Sequence, residues 1–148
     1  MQISTKSRYG LRALVDLAVY SNHSHISLKV IAERQDISAN YLEGIFSTLR
    51  KAGLIKSIKG TQGGYILGDT PANITLGAIL RTLEGDLSII DKTTSDDLVQ
   101  DDIDQLIQKV VWEKINQSIN TLVDSITLED LMNDYNRLRN GTFSMFYI

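Results

Sequence analysis

A short glycine-rich segment carries the side chains best suited to meet an anion. In "IKSIKGTQGGYILG", residues 55–68, Lys56 and Lys59 flank a glycine cluster and Gln62 lies within it. Basic and amide side chains on a narrow ribbon suit phosphates and the minor groove of duplex DNA. The segment is therefore a candidate nucleic-acid contact, and an ordinary tight turn is the alternative.

The glycines of this segment have a conformational role of their own. Gly60, Gly63 and Gly64 are predicted to let the tip adopt positive φ and to let its backbone approach a partner closely. A nucleotide-binding P-loop would need Gly-Lys-Ser/Thr at the start of a helix, and a dinucleotide turn would need G-x-G-x-x-G after a strand. Neither pattern occurs here.

Other residues that could do chemistry form no convincing group. His23 and His25 share a loop but lack a third metal ligand nearby. The acidic stretch "SDDLVQDDIDQ" fits no calcium-binding loop and lacks its glycine, so a solvated linker and helix start is favoured. No nucleophile has a partner base, and we predict no metal site, no cofactor and no catalytic activity.

A second set of polar side chains lies on one face of a predicted helix that follows Ser38. Apolar residues at i, i+3, i+4 and i+7 predict its buried face. Those apolar residues are Leu42, Ile45, Phe46 and Leu49. The opposite face carries Asn40, Glu43, Ser47, Arg50 and Lys51.

Phosphates would repel Glu43, but its carboxylate can accept a hydrogen bond from the cytosine amino group in the major groove. This face is a candidate base-reading surface, and a solvated face without a role is the alternative.

Three helices and a hairpin must position these side chains. Apolar spacing and serine caps predict helices over residues 5–21 and 28–35 and from Ser38 onwards. Gly53 suits the left-handed end of the third helix, and "LIKSIK" and "YILG" predict two strands joined through "GTQGG". This order describes a mainly α fold, a winged helix-turn-helix whose wing is the hairpin.

The second half of the chain predicts a long helix. Its apolar residues recur at helical spacing from Ile103 to Ile126, over about six turns. Because such a helix overhangs a small domain, we expect its stripe to pair with a second copy across a two-fold axis. Packing against the fourth helix, within "ITLGAILRTLEG", is the alternative.

The predicted units are a winged helix-turn-helix DNA-binding domain (1–85), an acidic linker (86–102), a dimerisation helix (103–126) and a C-terminal helix with an apolar tail (127–148).

The net charge of −3 is divided unevenly along the chain. Residues 1–70 carry nine Lys/Arg against five Asp/Glu, a net of +4, whereas residues 71–148 carry six against thirteen, a net of −7. This asymmetry indicates that the amino-terminal part meets a polyanion, and two differently solvated surfaces are the alternative.

No apolar run reaches the length of a membrane span, so we expect a cytoplasmic protein without membrane contact.

The last residues of the chain are apolar, where chain ends are usually polar. Pockets that capture a carboxy-terminus bind its carboxylate through backbone N–H groups and bury the last side chain. Phe146, Tyr147 and Ile148 are therefore candidate partner-binding residues. A tail that folds back onto its own dimer is the alternative.

Three segments together resemble a family of bacterial regulators. "ISTKSRYGLRALVDLA", "ISLKVIAERQDISANYLEGIFSTLRKAGLIKSIKGTQGGYILG" and "ITLGAILRTLEG" are similar, in order and spacing, to the Rrf family (type two) of transcription regulators. The resemblance covers about the first 85 residues and implies a homodimeric winged-helix protein that binds double-stranded DNA. Members that act as iron–sulfur or nitric-oxide sensors hold a cluster with three cysteines behind the fourth helix. This chain has no cysteine, so the resemblance implies no cluster here.

The resemblance also assigns roles to individual residues. On the third helix the DNA-reading positions would be Ser38, Asn40, Tyr41, Glu43, Ser47 and Arg50. Lys59, Gln62 and Gly63 match the wing. Thr5 and Lys6, before the first helix, would meet backbone phosphates. Ser7 and Asp86 depart from the family pattern, which usually has glycine and proline there.

One cluster-free branch of the family is similar from "ISTK" to the terminal "MFYI". Its members repress genes of cysteine metabolism together with cysteine synthase (O-acetylserine thiol-lyase), whose active site accepts a carboxy-terminal isoleucine. Ile148 matches that chemistry. The resemblance implies that O-acetylserine displaces the regulator from the enzyme and thereby weakens its hold on DNA. An adaptor that regulates an enzyme through this tail without binding DNA is the alternative function.

Overall fold

A computed structural model of the chain describes residues 1–90 and 101–141. Three helices come first: α1 (Thr5–Tyr20), α2 (Leu28–Gln35) and α3 (Ala39–Lys51). An antiparallel hairpin of β1 (Ile55–Ile58) and β2 (Gly64–Leu67), a 3₁₀ turn (Pro71–Asn73) and α4 (Leu76–Glu84) follow. The mainly α winged-helix fold predicted from the sequence is confirmed.

Short polar residues begin these helices, as the sequence predicts. The hydroxyl groups of Ser27 and Ser38 accept hydrogen bonds from backbone N–H groups in the first turns of α2 and α3. Asp36 turns the chain between these helices in the left-handed region, at φ 53°. Gly53 ends α3 in the same region, at φ 81°.

One hydrophobic core lies between the amino-terminal helices and the wing. α1 contributes Leu14 and Leu17, α2 contributes Ile31, and all three side chains are fully buried. The predicted apolar face of α3 lies in the same core, and so does Ile55 of β1. The polar faces of α3 and the wing are consequently carried on the outside of a packed unit.

The second half of the described chain is helical. A continuous run consists of α5 (Asp102–Ile107), a single π-helical turn (Gln108–Trp112) and α6 (Glu113–Ser125). α7 (Leu128–Arg139) begins at a capping box between Thr127 and Asp130. The run from α5 to α6 coincides with the long helix predicted over residues 103–126.

α7 returns to the core of the first half, which the sequence pattern did not indicate. Backbone hydrogen bonds join Leu76 N–H to Ile126 O and Leu128 N–H to Ile74 O, both at 2.8 Å. Leu128 is fully buried in the amino-terminal core. The C-terminal helix therefore helps to stabilise the winged-helix unit.

The long helix has two different sides. Arg81 of α4 donates to Asp124 at 2.7 and 3.0 Å and to Asn120 at 2.7 Å, which ties α6 to α4. An exposed apolar stripe also runs along the helix, and its members Leu106 and Val110 are 59% and 48% exposed. The other exposed members of the stripe are Ile103, Ile107, Val111, Ile115 and Leu122.

Parts of the predicted organisation lie outside the described residues. These are most of the acidic linker, residues 91–100, and the tail with Phe146, Tyr147 and Ile148. The division into a DNA-binding domain, linker, dimerisation helix and C-terminal segment remains a prediction. Within residues 1–90 and 101–141, none of the helices is long and apolar enough to cross a bilayer.

Candidate nucleic-acid interface

α3 separates its apolar and polar residues as predicted. Leu42, Ile45, Phe46 and Leu49 are at most 1% exposed. On the other face Asn40, Glu43, Arg50 and Lys51 are exposed, while Ser47 is half-buried. Ser38 caps the helix and is itself exposed, next to Asn40 and Tyr41. The predicted reading residues of α3 are therefore accessible along most of its outer face.

The wing is a short hairpin with an exposed polar tip. Its strands pair from Ile55–Leu67 to Ile58–Gly64, so residues 59–63 form the tip. Lys59 and Gln62 are exposed there, and Lys56 is exposed on β1. The three polar side chains predicted to meet an anion are thus free of the core.

The tip glycines differ in what they do. Gly60 has φ 119°, which L side chains rarely adopt. The predicted positive φ is wrong for Gly63 and Gly64, whose φ angles lie outside that region. A β-carbon at Gly63 would lie 2.2 Å from Ile58 O, and one at Gly64 would lie 2.4 Å from Ile26 O. Close backbone packing inside the protein explains these two glycines, and contact of Gly63 with DNA stays a prediction.

Tyr65 links the wing to the helix-turn-helix. Its ring meets Phe46 of α3 edge-on, with the centroids 5.0 Å apart. Its backbone N–H donates to Ile26 O at 2.8 Å and its carbonyl accepts from Ile26 N–H at 3.0 Å. The wing is therefore fixed to α3 by packing and to the start of α2 by backbone bonds.

The start of α1 is tied to the start of α3. One turn beyond Thr5 and Lys6, the Tyr9 ring meets Tyr41 edge-on at 6.0 Å between centroids. Thr5 is exposed and Lys6 is half-buried. Arg8, which was not predicted as a contact from the sequence, is exposed and donates to Thr5 Oγ1 at 3.0 Å. Its position three residues after Thr5, on the same helix face, was the available signal.

Glu84, the last residue of α4, holds the amino-terminal end of α1. Its carboxylate accepts from Ser4 N–H at 2.9 Å, from the Ser4 hydroxyl at 2.6 Å and from the hydroxyl of the fully buried Ser7. The side-chain hydrogen bonds from Ser4 and Ser7 keep the pKa of Glu84 below its ordinary value. Ser7, which departs from the family pattern, is thus part of a contact between α1 and α4.

We expect this contact to make stability depend on pH. Because the folded-state pKa of Glu84 is lowered, its contribution is complete above the unfolded value of about 4.3 and is lost as pH falls through the folded value. Glu84→Gln should therefore lower the urea midpoint most at pH 6, and the difference from the unaltered protein should shrink toward pH 3. Urea unfolding followed by circular dichroism measures this. A constant difference over that range would contradict the prediction, and Glu33→Gln on α2 controls for loss of an exposed carboxylate.

A buried ion pair sets α2 against α1. Asp16 of α1 has a fully buried side chain and accepts from Arg34 Nε at 2.9 Å and Nη2 at 2.8 Å. Gln35 adds a third hydrogen bond at 2.8 Å. The Arg34 guanidinium also lies 4.1 Å from the centroid of the Tyr20 ring. This network fixes the first helix of the helix-turn-helix on its support.

The described residues do not gather metal ligands. Within residues 1–90 and 101–141, no group of three or more His, Cys, Asp or Glu side chains could hold a metal ion. The arrangement instead offers cations and amides on three adjoining elements: the start of α1, the outer face of α3 and the wing. Such a surface can bind the phosphates of a polyanion and can present polar side chains to base edges.

Comparison with known proteins identifies relatives. Residues 3–134 match the family model described as Rrf2: iron-dependent transcriptional regulator. The HTH-type transcriptional regulator CymR of Bacillus subtilis (strain 168) is 42% identical over 131 residues, which are 88% of this chain and 89% of that protein. The HTH-type transcriptional regulator IscR of Erwinia tasmaniensis is 34% identical over 90% of this chain and 80% of its own length.

Solved structures agree in fold. The structure of CymR, the global cysteine regulator of B. subtilis, superposes with a TM-score of 0.77 at 41% identity, over 90% of this chain and 97% of that one. The oxidized form of Staphylococcus aureus CymR superposes with a TM-score of 0.70 at 36% identity, over 89% and 96%. These relatives are transcriptional regulators and not enzymes.

The family description names iron, and this sequence lacks the usual ligand of an iron–sulfur cluster. Iron–sulfur clusters are held mainly by cysteine thiolates, and the sequence contains no cysteine. The residues present therefore do not fit a cysteine-ligated cluster, and we assign no role to one.

The match over most of the chain, the identity with several regulators and the shared winged-helix fold lead to one conclusion. The chain belongs to the Rrf2 family of transcriptional regulators.

Proposed function

We propose that the protein is a homodimeric repressor that binds duplex DNA with α3 in the major groove and the wing against the adjacent minor groove. The observation that carries this proposal is the exposed polar face of α3 beside a wing whose Lys59 and Gln62 are also exposed. The Phe46–Tyr65 contact supports a fixed spacing between helix and wing. A winged helix offers both surfaces to one duplex.

Individual side chains divide into two roles. Glu43 and Asn40 read base edges, since a carboxylate accepts from cytosine and an amide pairs with adenine. Ser38, Tyr41, Ser47 and Arg50 lie on the same helix and complete the reading surface. The remaining hydroxyl and cationic side chains bind phosphates and supply affinity that does not depend on sequence. These phosphate-binding residues are Thr5, Lys6, Lys51, Lys56 and Lys59. Gln62 and Gly63 meet the minor groove.

A second copy covers the exposed apolar stripe that includes Leu106 and Val110. Exposed apolar patches of this kind on a regulator favour an interface between copies. Pairing across a two-fold axis gives two reading helices in symmetric positions, so we propose a palindromic operator. Its half-site spacing follows from the separation of the two α3 helices.

The DNA proposal has a direct test. The purified protein is mixed with sheared genomic DNA, and the retained fragments are sequenced. Enrichment of a common palindromic site supports the proposal. Retention without any common site would refute sequence-specific control and would favour the adaptor function through the C-terminal tail.

Replacing Lys59 should weaken binding to all sequences alike. A side chain that neutralises one phosphate contributes about 0.9 to the slope of log affinity against log salt. We therefore expect Lys59→Ala to reduce that slope by about one for each protomer bound. Fluorescence anisotropy of a labelled duplex over a range of salt concentrations measures the slope.

Glu43→Gln serves as the contrasting variant in the same experiment. It should leave the slope nearly unchanged and relax base preference at one position of each half-site by about 1–3 kcal/mol. A Lys59 variant with an unaltered salt slope would exclude that lysine from phosphate contact.

The regulated genes are proposed to be those of sulfur or cysteine metabolism. Support comes from 42% identity with CymR and from the description of a similar structure as a global cysteine regulator. The terminal residues Phe146, Tyr147 and Ile148 suit the proposed partner, cysteine synthase, because a buried apolar side chain and a free carboxylate are what a carboxy-terminus pocket binds. A regulator of this kind would act in the cytoplasm, where bacterial DNA lies.

Removal of Ile148 should abolish the interaction with cysteine synthase. The truncation takes away the side chain that fills the pocket and moves the carboxylate by one residue. Isothermal titration calorimetry of the enzyme with the full-length and the shortened protein measures the effect, and Asn140→Ala in the same chain serves as a control. Equal affinity of the full-length and shortened proteins would contradict insertion of the tail.

A further inference from the structure

His25 contacts the tip of the wing. It is not one of the residues assigned above to the DNA-binding surface. Its ring Nε2–H donates to the backbone carbonyl of Gln62, thirty-seven residues away in the chain. Gln62 is the tip residue whose amide is proposed to enter the minor groove. The loop before α2 and the tip of the wing are therefore in direct contact.

The loop that carries His25 is shaped to face the wing. Asn22 and His23 have φ angles of 40° and 69°, in the left-handed region that turns a chain sharply. Ser24 N–H and the Ser24 hydroxyl both donate to Ser21 O, at 2.6 and 3.0 Å, which closes the turn. His25 directly precedes Ile26, whose backbone pairs with Tyr65 of β2. The histidine is thus anchored by the same segment that fixes the wing.

The tip needs such a support because the strands end before it. Ile58 and Gly64 form the last pair of the ladder, and the tip is closed by Gly63 N–H donating to Gly60 O at 3.0 Å. Gly60, Gly63 and Gly64 give this segment little side-chain packing of its own. The hydrogen bond from His25 holds the backbone of Gln62, whose side chain is exposed.

We propose that His25 is a positioning residue for DNA binding, holding the backbone of Gln62 so that its amide meets the minor groove in one orientation. This inference rests on the proposed DNA-binding function. His25 acts by fixing the tip in advance, which reduces the ordering cost of association. The alternative is that His25 contacts a DNA phosphate directly. The experiment distinguishes positioning of Gln62 from direct phosphate contact.

The test is a double-mutant cycle on a duplex that the unaltered protein retains. His25→Leu removes the donor at similar size, His25→Gln keeps an N–H donor of similar reach, and Gln62→Ala removes the reading side chain but leaves its carbonyl. His23→Asn, in the same loop, is the matched control because asparagine tolerates positive φ. Dissociation constants come from fluorescence anisotropy at one salt concentration, and urea midpoints report stability.

We expect His25→Leu to weaken DNA binding by about tenfold, the size of one lost hydrogen bond, and to lower the urea midpoint by no more than the loss of that one bond requires. His25→Gln should recover most of the loss, and His23→Asn should bind normally. In the Gln62→Ala background, His25→Leu should have little further effect.

Other outcomes would overturn the inference. If His25→Leu weakens binding equally with and without the Gln62 side chain, His25 contacts DNA itself. If His25→Leu binds normally, or if His25→Gln shows the same loss as His25→Leu, the bond to the carbonyl has no positioning role. In all these cases the unaltered protein still retains its operator, so the proposed function survives. Absence of DNA binding by the unaltered protein would refute the function and the inference with it.

Discussion

Val110→Asp should dissociate the proposed dimer into single protomers and weaken operator binding by at least about 100-fold. Val110 is 48% exposed in the single chain, so the substitution leaves the core of the protomer intact. In the proposed dimer it lies on the apolar stripe of the long helix. Two-fold symmetry brings the new carboxylate into the interface from both protomers, where each loses its hydration without gaining a partner.

Light scattering after size-exclusion chromatography measures the mass of the assembly, and anisotropy with an operator duplex measures binding. Lys109→Asp is the matched control, because Lys109 is exposed on the same turn but is not part of the apolar stripe. We expect the control to keep the mass of a dimer. A dimer that persists in Val110→Asp with unchanged operator affinity would show that this stripe is not the interface between copies.

Asp16→Ala should lower the free energy of unfolding by about 2–3 kcal/mol. The variant removes the acceptor of three hydrogen bonds and leaves an empty polar site between α1 and α2. The Arg34 side chain is 34% exposed and stays close to Tyr20, so water compensates part of the loss. Asp16→Asn keeps an acceptor and should cost less, about 1 kcal/mol.

Urea unfolding at a fixed protein concentration measures these differences, since a dimer's midpoint depends on concentration. Asp134→Ala is the comparison. It breaks an exposed ion pair with Arg137, and such pairs contribute less than about 1 kcal/mol. Equal effects of Asp16→Ala and Asp134→Ala would contradict the importance of burial for the Asp16 network.

The elements of the winged helix could be predicted because their signals are short-range. The spacing of Leu42, Ile45, Phe46 and Leu49 determines which face of α3 is buried, and Ser38 and Gly53 mark its ends. The hairpin could be predicted in the same way, because a glycine cluster separates its two short strands. For the long helix the pattern predicted where the apolar stripe runs. Arg81 of α4 holds the later turns through Asp124 and Asn120, and pairing of the exposed stripe with a second copy stays a prediction.

The candidate DNA surface could be predicted from the sequence only in part. Polar residue types on α3 and the wing indicated which side chains would be exposed, and the structure confirms that exposure for Glu43, Lys59 and Gln62. Their contacts with bases and phosphates remain predictions. The glycine cluster shows the limit, because Gly63 and Gly64 are required by nearby backbone and not by positive φ.

By itself the sequence determined the helices, the hairpin, the caps of α2 and α3 and the family, because each depends on residues that are neighbours in the chain or on motifs that can be compared directly. Only the tertiary structure decided that Glu84 accepts hydrogen bonds from Ser4 and Ser7 at the start of α1, that α7 returns to the core and that His25 bonds to the wing tip. Such contacts join residues far apart in the chain. They depend on how rigid elements are arranged in space, and no local spacing encodes that arrangement.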